Sequence, residues 1–117
     1  MGRITTHVLD TANGRPGAGI AVTLWRVVDS GRQCIVSTAT NADGRCDAPL
    51  LEGERMQPGR YELVFAVGAY FRGLGAPLPE PAFVDEVVLR FGVAHAGEHY
   101  HVPLLVSPWS YSTYRGS

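Results

Sequence analysis

Four histidines, His7, His95, His99 and His101, are the side chains in this chain most able to move protons at neutral pH. A lone histidine is most often a surface or hydrogen-bonded residue. Three of these, however, fall inside β-prone runs. His7 shares a strand face with Thr5 and Leu9, and His99 and His101 share one with each other, because side chains on a strand repeat every second residue. A rigid strand holds an imidazole in one place, which general acid–base chemistry requires. The His99-Tyr100-His101 pair also has the spacing of two zinc ligands, with His7 as a possible third. No cysteine or carboxylate stands at ligand spacing, so the metal-free reading is preferred.

Other chemistries find little support. There is no G-x-S-x-G elbow for a serine nucleophile and no glycine-rich phosphate loop. Asp43 and Glu98 lie in turn sequences and form no carboxylate pair. Cys46 follows Arg45, whose charge could lower a thiol pKa, but an inert thiol is the expected state. The C-terminal run from Ser107 to Ser117 is aromatic and β-prone, where chain ends are commonly bland. It reads either as a final edge strand or as a segment whose Tyr114, Arg115 and Ser117 line a site.

The elements that must position these groups are short strands between turns. Ile4 to Asp10 reads as a first strand, broken by Asn13-Gly14. In a second, Ile20, Val22 and Leu24 alternate with Ala21, Thr23 and Trp25. Gln33 to Thr40 forms a third, ended by Asp43-Gly44, where glycine accepts the positive φ of a tight turn. Arg45 to Leu51 reads as a short fourth strand, weakened by Pro49. Tyr61, Leu63, Phe65 and Val67 mark a fifth. Ala69 to Leu74 is the one helical candidate, and Pro77, Pro79 and Pro81 dictate an extended loop after it. Phe83, Val87, Leu89 and Phe91 share a face of a sixth strand, His99 to Ser107 is a seventh and Tyr111 to Arg115 an eighth. Seven or eight short strands with regular turns indicate an all-β two-sheet sandwich.

Length and composition bound the rest. At 117 residues the chain fits one domain, 1–117, and is too short for a barrel of about 250 residues. With 45% hydrophobic and 18% charged residues it should fold around a core. A net charge of −1 lacks the basic footprint that nucleic acid or an anionic membrane would need. No apolar run approaches the length of a membrane-spanning helix. Two cysteines, Cys34 and Cys46, do not make a disulfide framework. Free thiols, together with a first segment that has no apolar signal region, suggest the cytoplasm.

Three segments carry a resemblance. ITTHVLDTANGRPGAGIAVTLWR near the start, TNADGR in the middle and HYHVPLLVSPWSYSTYRGS at the end resemble the transthyretin-like 5-hydroxyisourate hydrolases, from Ile4 to Ser117. The terminal Tyr-Arg-Gly-Ser is the most specific of these. The resemblance implies a transthyretin-like (prealbumin-like) sandwich of about eight strands with one short helix. It implies a catalytic set of His7, Arg45 and His101, with Tyr114, Arg115, Gly116 and Ser117 binding substrate and His99 off the motif position. It further implies metal-free, cofactor-free opening of the 5-hydroxyisourate ring to a ureidoimidazoline carboxylate in urate breakdown. The assembly implied is a homotetramer with sites in a channel between dimers, for which Val87, Leu89 and the 105–109 stretch could supply contacts. The alternative is a transthyretin-like ligand carrier without catalysis. Fold alone does not separate the two, but a hormone channel needs apolar walls, and this chain would line its channel with His, Arg and polar groups.

Overall fold

The structure, a computed structural model, describes residues 1–116. Nine strands and one α-helix follow one another: β1 (Arg3–Asp10), β2 (Arg15–Pro16), β3 (Ala21–Val28), β4 (Gly31–Ala39), β5 (Leu51–Glu52), β6 (Gly59–Ala66), α1 (Val67–Gly73), β7 (Glu86–Val93), β8 (His99–Val106) and β9 (Tyr111–Thr113). One sheet runs β2-β1-β8-β9, with β5 also paired to β1, and the other runs β4-β3-β6-β7.

The core lies between the sheets and follows from the two-residue period. Ile4 and Val8 of β1, Val102, Leu104 and Val106 of β8, Val22 and Leu24 of β3, and Leu63 and Phe65 of β6 all point inward and are buried. Truncating a fully buried leucine such as Leu104 to alanine typically costs about 2–5 kcal/mol. The opposite faces of β1 and β8 carry Arg3, Thr5, His7, His99 and His101. The expected faces of β1, β3 and β8 are the observed ones.

One buried polar group fastens the end of β1. Asp10 is fully buried and receives bonds from the Asn13 amide N–H (3.0 Å), Asn13 Nδ2 (2.7 Å) and the Tyr70 hydroxyl of α1 (2.7 Å). Burial pushes its carboxyl pKa upward, but the Asn13 and Tyr70 bonds outweigh this and hold it below the usual carboxylate value.

Three expected elements differ. The segment Arg45 to Leu51 is not a strand: Arg45 makes a single bridge to His7, and ladder pairing resumes only at Leu51. Asn41 is the reason. Its Oδ1 accepts the Asp43 and Arg45 amides at 2.9 and 3.2 Å, and its own amide donates to the Arg45 carbonyl at 2.7 Å, which curls the chain into a turn. The sixth predicted strand begins at Glu86, not Phe83, because the Asp85 carbonyl is taken by the Gly68 amide of α1 at 2.8 Å. Phe83 is left exposed and stacks on Trp109. The helix starts at Val67, two residues early, with Val67, Gly68 and Phe71 buried beneath it.

Candidate functional site

The outward face of the first sheet carries the polar groups. Along β1 that face presents Arg3, Thr5 and His7 in alternation with buried Ile4, Thr6 and Val8. Strand β8 runs parallel to β1, pairing Arg3 with His99, Thr5 with His101 and His7 with Pro103. The register therefore sets His99 and His101 beside β1's own polar row. Their neighbours Tyr100 and Val102 point into the core and leave the two rings no route inward.

Arg45 arrives from the turn. The Val8 amide donates to the Gly44 carbonyl at 2.8 Å, docking the turn on β1. Gly44 has φ +76°, and a Cβ there would run into the Val8 carbonyl, so only glycine fits both the turn and the close approach. His7 Nε2 lies 3.0 Å from the Asp43 carbonyl. A carbonyl only accepts, so this nitrogen carries hydrogen, and in the neutral ring Nδ1 keeps its lone pair. Arg45 then joins Arg3, Thr5, Thr6, Cys46, Asp47, Ala48, Pro49, His99 and His101 around a hollow of about 350 Å³.

Thr5 sits between the two β8 histidines. Its Oγ1 lies 2.7 Å from His99 Nε2 and 2.7 Å from His101 Nδ1. Among the described residues His101 Nε2 makes no hydrogen bond. Both imidazoles are held below the ordinary histidine pKa. For His101 the causes are burial, then the charges of Arg45, His99 and His7; for His99 they are burial, then Arg3 and Arg115. Both rings are thus biased to the neutral, proton-accepting form. Burial and the Asp47 charge push the Cys46 thiol upward, opposite to what its neighbour Arg45 suggested, and this favours the inert thiol.

The C-terminal segment reaches the same rings from β9. Gly116 bridges to His101, its amide donating to the His101 carbonyl at 2.8 Å. Arg115 lies with its guanidinium 4.2 Å from the Tyr100 ring centre and donates to Glu98 Oε1 (3.1 Å) and the His99 carbonyl (3.2 Å). Within the protomer Tyr114 and Arg115 line a different hollow, between β7 and β9, with Val88, Phe91 and Tyr100. Ser117 lies outside the described residues. Arg45 and His101 are therefore set on one hollow, with His7 bridged to Arg45 beside it and Gly116 bridged to His101, while Tyr114 and Arg115 turn toward the sheet edge.

Sequence reasoning ranked His99 second and gave Arg3 and Thr5 no role, yet all three line the hollow. The period of two already put Thr5 on the face of His7. The parallel pairing of β1 with β8, which alone makes Thr5 a neighbour of His101, leaves no local trace in either strand. Among the described residues no group of three or more histidine, cysteine or acidic side chains is arranged to hold a metal ion. No described helix is long and apolar enough to cross a membrane.

Comparison with known proteins converges on one family. Residues 4–116 match the model of the HIUase/Transthyretin family. The chain is 68% identical over 117 residues, covering the whole of both sequences, to a 5-hydroxyisourate hydrolase of Ralstonia nicotianae. Among solved structures it superposes on an (S)-allantoin synthase with a TM-score of 0.93 and 44% identity, covering 99% of this chain and 44% of that one. It superposes on the Klebsiella pneumoniae 5-hydroxyisourate hydrolase with a TM-score of 0.83 and 32% identity over all of both chains. On sequence and fold together, the chain belongs to the HIUase/transthyretin family.

Proposed function

We propose that this protein is a 5-hydroxyisourate hydrolase, converting that substrate to 2-oxo-4-hydroxy-4-carboxy-5-ureidoimidazoline. The observation that carries the reading is the meeting of Arg45 with the neutral-biased His101 on one open hollow, in a chain 68% identical to a hydrolase of that name. Ring opening needs a base for water, a donor for the oxygen that gains negative charge, and a proton for the departing nitrogen. His101 Nε2 takes the proton from water. Arg45, always protonated and forked, holds the carbonyl oxygen as it becomes an oxyanion. The proton on His101 then passes to the leaving nitrogen, and the neutral ring is restored. His7, fixed by the Asp43 carbonyl, offers Nδ1 to orient the attacking water. None of these steps calls on a cofactor.

Gly116 would let substrate approach the His101 ring, and Tyr114, Arg115 and Ser117 would complete the binding set. Because Tyr114 and Arg115 face the sheet edge within one protomer, their contribution rests on assembly. The hollow lies on an open sheet face, and a second copy laid against that face would enclose it. This supports a homotetramer with its sites between dimers. The free thiols of Cys34, which is exposed, and Cys46 suit a reducing compartment, in keeping with the cytoplasm. A carrier of hydrophobic ligands would need apolar walls, whereas Arg3, Arg45, Asp47, His99 and His101 wall this hollow. The deciding experiment follows the ultraviolet decay of freshly made 5-hydroxyisourate with and without the protein. Acceleration proportional to protein concentration is expected; decay at the uncatalysed rate would overturn the reading.

A further inference from the structure

Thr5 is bonded in a way that the acid–base scheme above does not use. A threonine hydroxyl has one hydrogen to give and lone pairs to accept with. Here it meets two ring nitrogens at the same 2.7 Å distance, His99 Nε2 and His101 Nδ1. It can donate to only one of them, so the other must donate to it. When Thr5 donates to His99, His101 carries hydrogen on Nδ1 and has a bare Nε2. When Thr5 donates to His101, Nδ1 is the acceptor and Nε2 carries the hydrogen. The tautomers of the two rings are therefore locked together through one hydroxyl.

We infer that Thr5 is a positioning residue that sets the hydrogen-bearing nitrogen of His101 and passes a proton between His101 and His99; the inference rests on the hydrolase reading above. In the resting pair His101 Nδ1–H donates to Thr5, whose O–H donates to His99 Nε2. His101 Nε2 then takes a proton from water. The Nδ1 proton moves to the Thr5 oxygen as the Thr5 proton moves to His99 Nε2. One proton has entered at His101 and one has arrived at His99, so the positive charge has left the reacting centre and His101 is a neutral Nε2–H donor. When Nε2–H is given to the leaving nitrogen, the two transfers run backward and the resting pair returns. The ring need not turn over, and the strand geometry that holds both rings is undisturbed.

The surroundings agree with a pair that accepts one proton and resists two. His101 is faced by Arg45 from the turn, His7 from β1 and His99 from its own strand, and His99 by Arg3 from β1 and Arg115 from the tail. The ring centres are 5.9 Å apart, close enough for two imidazolium charges to repel. The Glu98 carboxylate, next to His99 in the chain, is engaged by Arg115 at 3.1 Å, and among the described residues Asp47 is the one acid that lines the hollow with both rings. Titration should therefore belong to the pair and not to either ring alone.

The test compares wild-type protein with Thr5→Val, which keeps the β-branched shape, and Thr5→Ser, which restores the hydroxyl. Nitrogen-15 NMR of the histidine rings, without substrate, reads the tautomer of His101 and the titration of both rings. Steady-state assays with 5-hydroxyisourate read kcat and KM against pH. Thr5→Val should lower kcat about tenfold with KM within about twofold, and Thr5→Ser should recover most of the loss. In wild type the two rings should report a shared titration, and in Thr5→Val they should titrate separately with the His101 tautomer no longer fixed. Separate titration in the wild type, or a Thr5→Val enzyme with unchanged kcat and pH profile, would overturn the inference. Should the wild type fail to hydrolyse 5-hydroxyisourate, the hydrolase reading falls, and the NMR comparison still decides whether Thr5 couples the rings.

Discussion

Gly116 lies flat against the imidazole of His101: a Cβ added to it would stand 2.7 Å from Cδ2 of the ring and 3.3 Å from Cγ. The contact is made at an isolated bridge, where the Gly116 amide also holds the His101 carbonyl. The missing side chain is therefore a matter of clearance beside the proposed base, and not of a special backbone conformation.

Gly116→Ala should accordingly injure catalysis while sparing the fold. The methyl must displace either the tail or the ring, and an error of about 1 Å near the chemistry can cost about 10²-fold. The expected result is a fall of that order in kcat, with the thermal midpoint within a few degrees of wild type. Kinetics and a melting curve on the same preparation check it. Full activity in the alanine variant would mean that the ring and the tail separate easily.

His101→Asn should lose about 10²–10⁴-fold in turnover, the usual cost of a missing general acid–base group. The fold should persist, since the inward-facing neighbours Val102 and Leu104 are untouched. His99→Asn removes the acceptor at the far end of the Thr5 bridge and should cost about tenfold, as Thr5→Val does. If steady-state rates rank the two variants the other way, the reacting ring is His99.

Arg45→Lys keeps the charge and should still fail. A compact ammonium does not reproduce a planar, two-pronged donor. The Asn41 turn and the bridge to His7 engage only the backbone of Arg45, so the loop should stay in place. By analogy with deletion of one oxyanion donor, turnover should drop about 10²–10³-fold. Near-normal rates would reduce Arg45 to a turn residue.

Much of this architecture can be read from residue alternation, and some of it cannot. The inward rows of β1, β3, β6 and β8 follow directly from apolar residues at every second position, because burial on one face is a local pattern. Pairing is not local. Nothing in Ile4–Asp10 or His99–Val106 says that the two strands lie parallel and side by side, so Thr5 carried no signal and His99 was undervalued. The two-residue strand β2 and the curl after Asn41 were likewise hidden, since the first has no period and the second depends on one side-chain amide. Arg45 entered through its resemblance to a family motif; its spacing alone gave no reason to place it beside His7.

Dialysis against EDTA should leave the rate unchanged. The His-x-His pair that could have served zinc is turned to another use, with His99 Nε2 and His101 Nδ1 both bound to the same threonine oxygen. His7 Nε2 is likewise committed to the Asp43 carbonyl. Metal analysis before and after dialysis, with assay of each sample, tests this. Inactivation reversed by zinc would establish the metal-dependent alternative.

The pH dependence follows from the lowered pKa values of His99 and His101. A base works when unprotonated, so the acid limb of kcat/KM should fall below about 6.5, the unperturbed histidine value. Arg45→Lys keeps a charge near His101 and should leave that limb in place. Stability should share the sign. A histidine that resists protonation in the folded chain binds its proton more readily when unfolded, so its contribution is complete above the unfolded pKa and is lost as pH falls toward the folded one. Asp10, whose pKa is lowered by Asn13 and Tyr70 against the effect of burial, adds a second loss at more acid pH as its carboxylate is protonated. Denaturant midpoints should therefore decline in two stages on acidification, the first beginning near pH 6.5 and the second beginning near the ordinary aspartate value of about 3.9 and continuing below it. Asp10→Asn should shrink the second stage, to which Glu62, held low by Arg90 and Arg32, also contributes, and leave the first. A midpoint that rises on acidification through the histidine range would reverse the sign assigned to these rings.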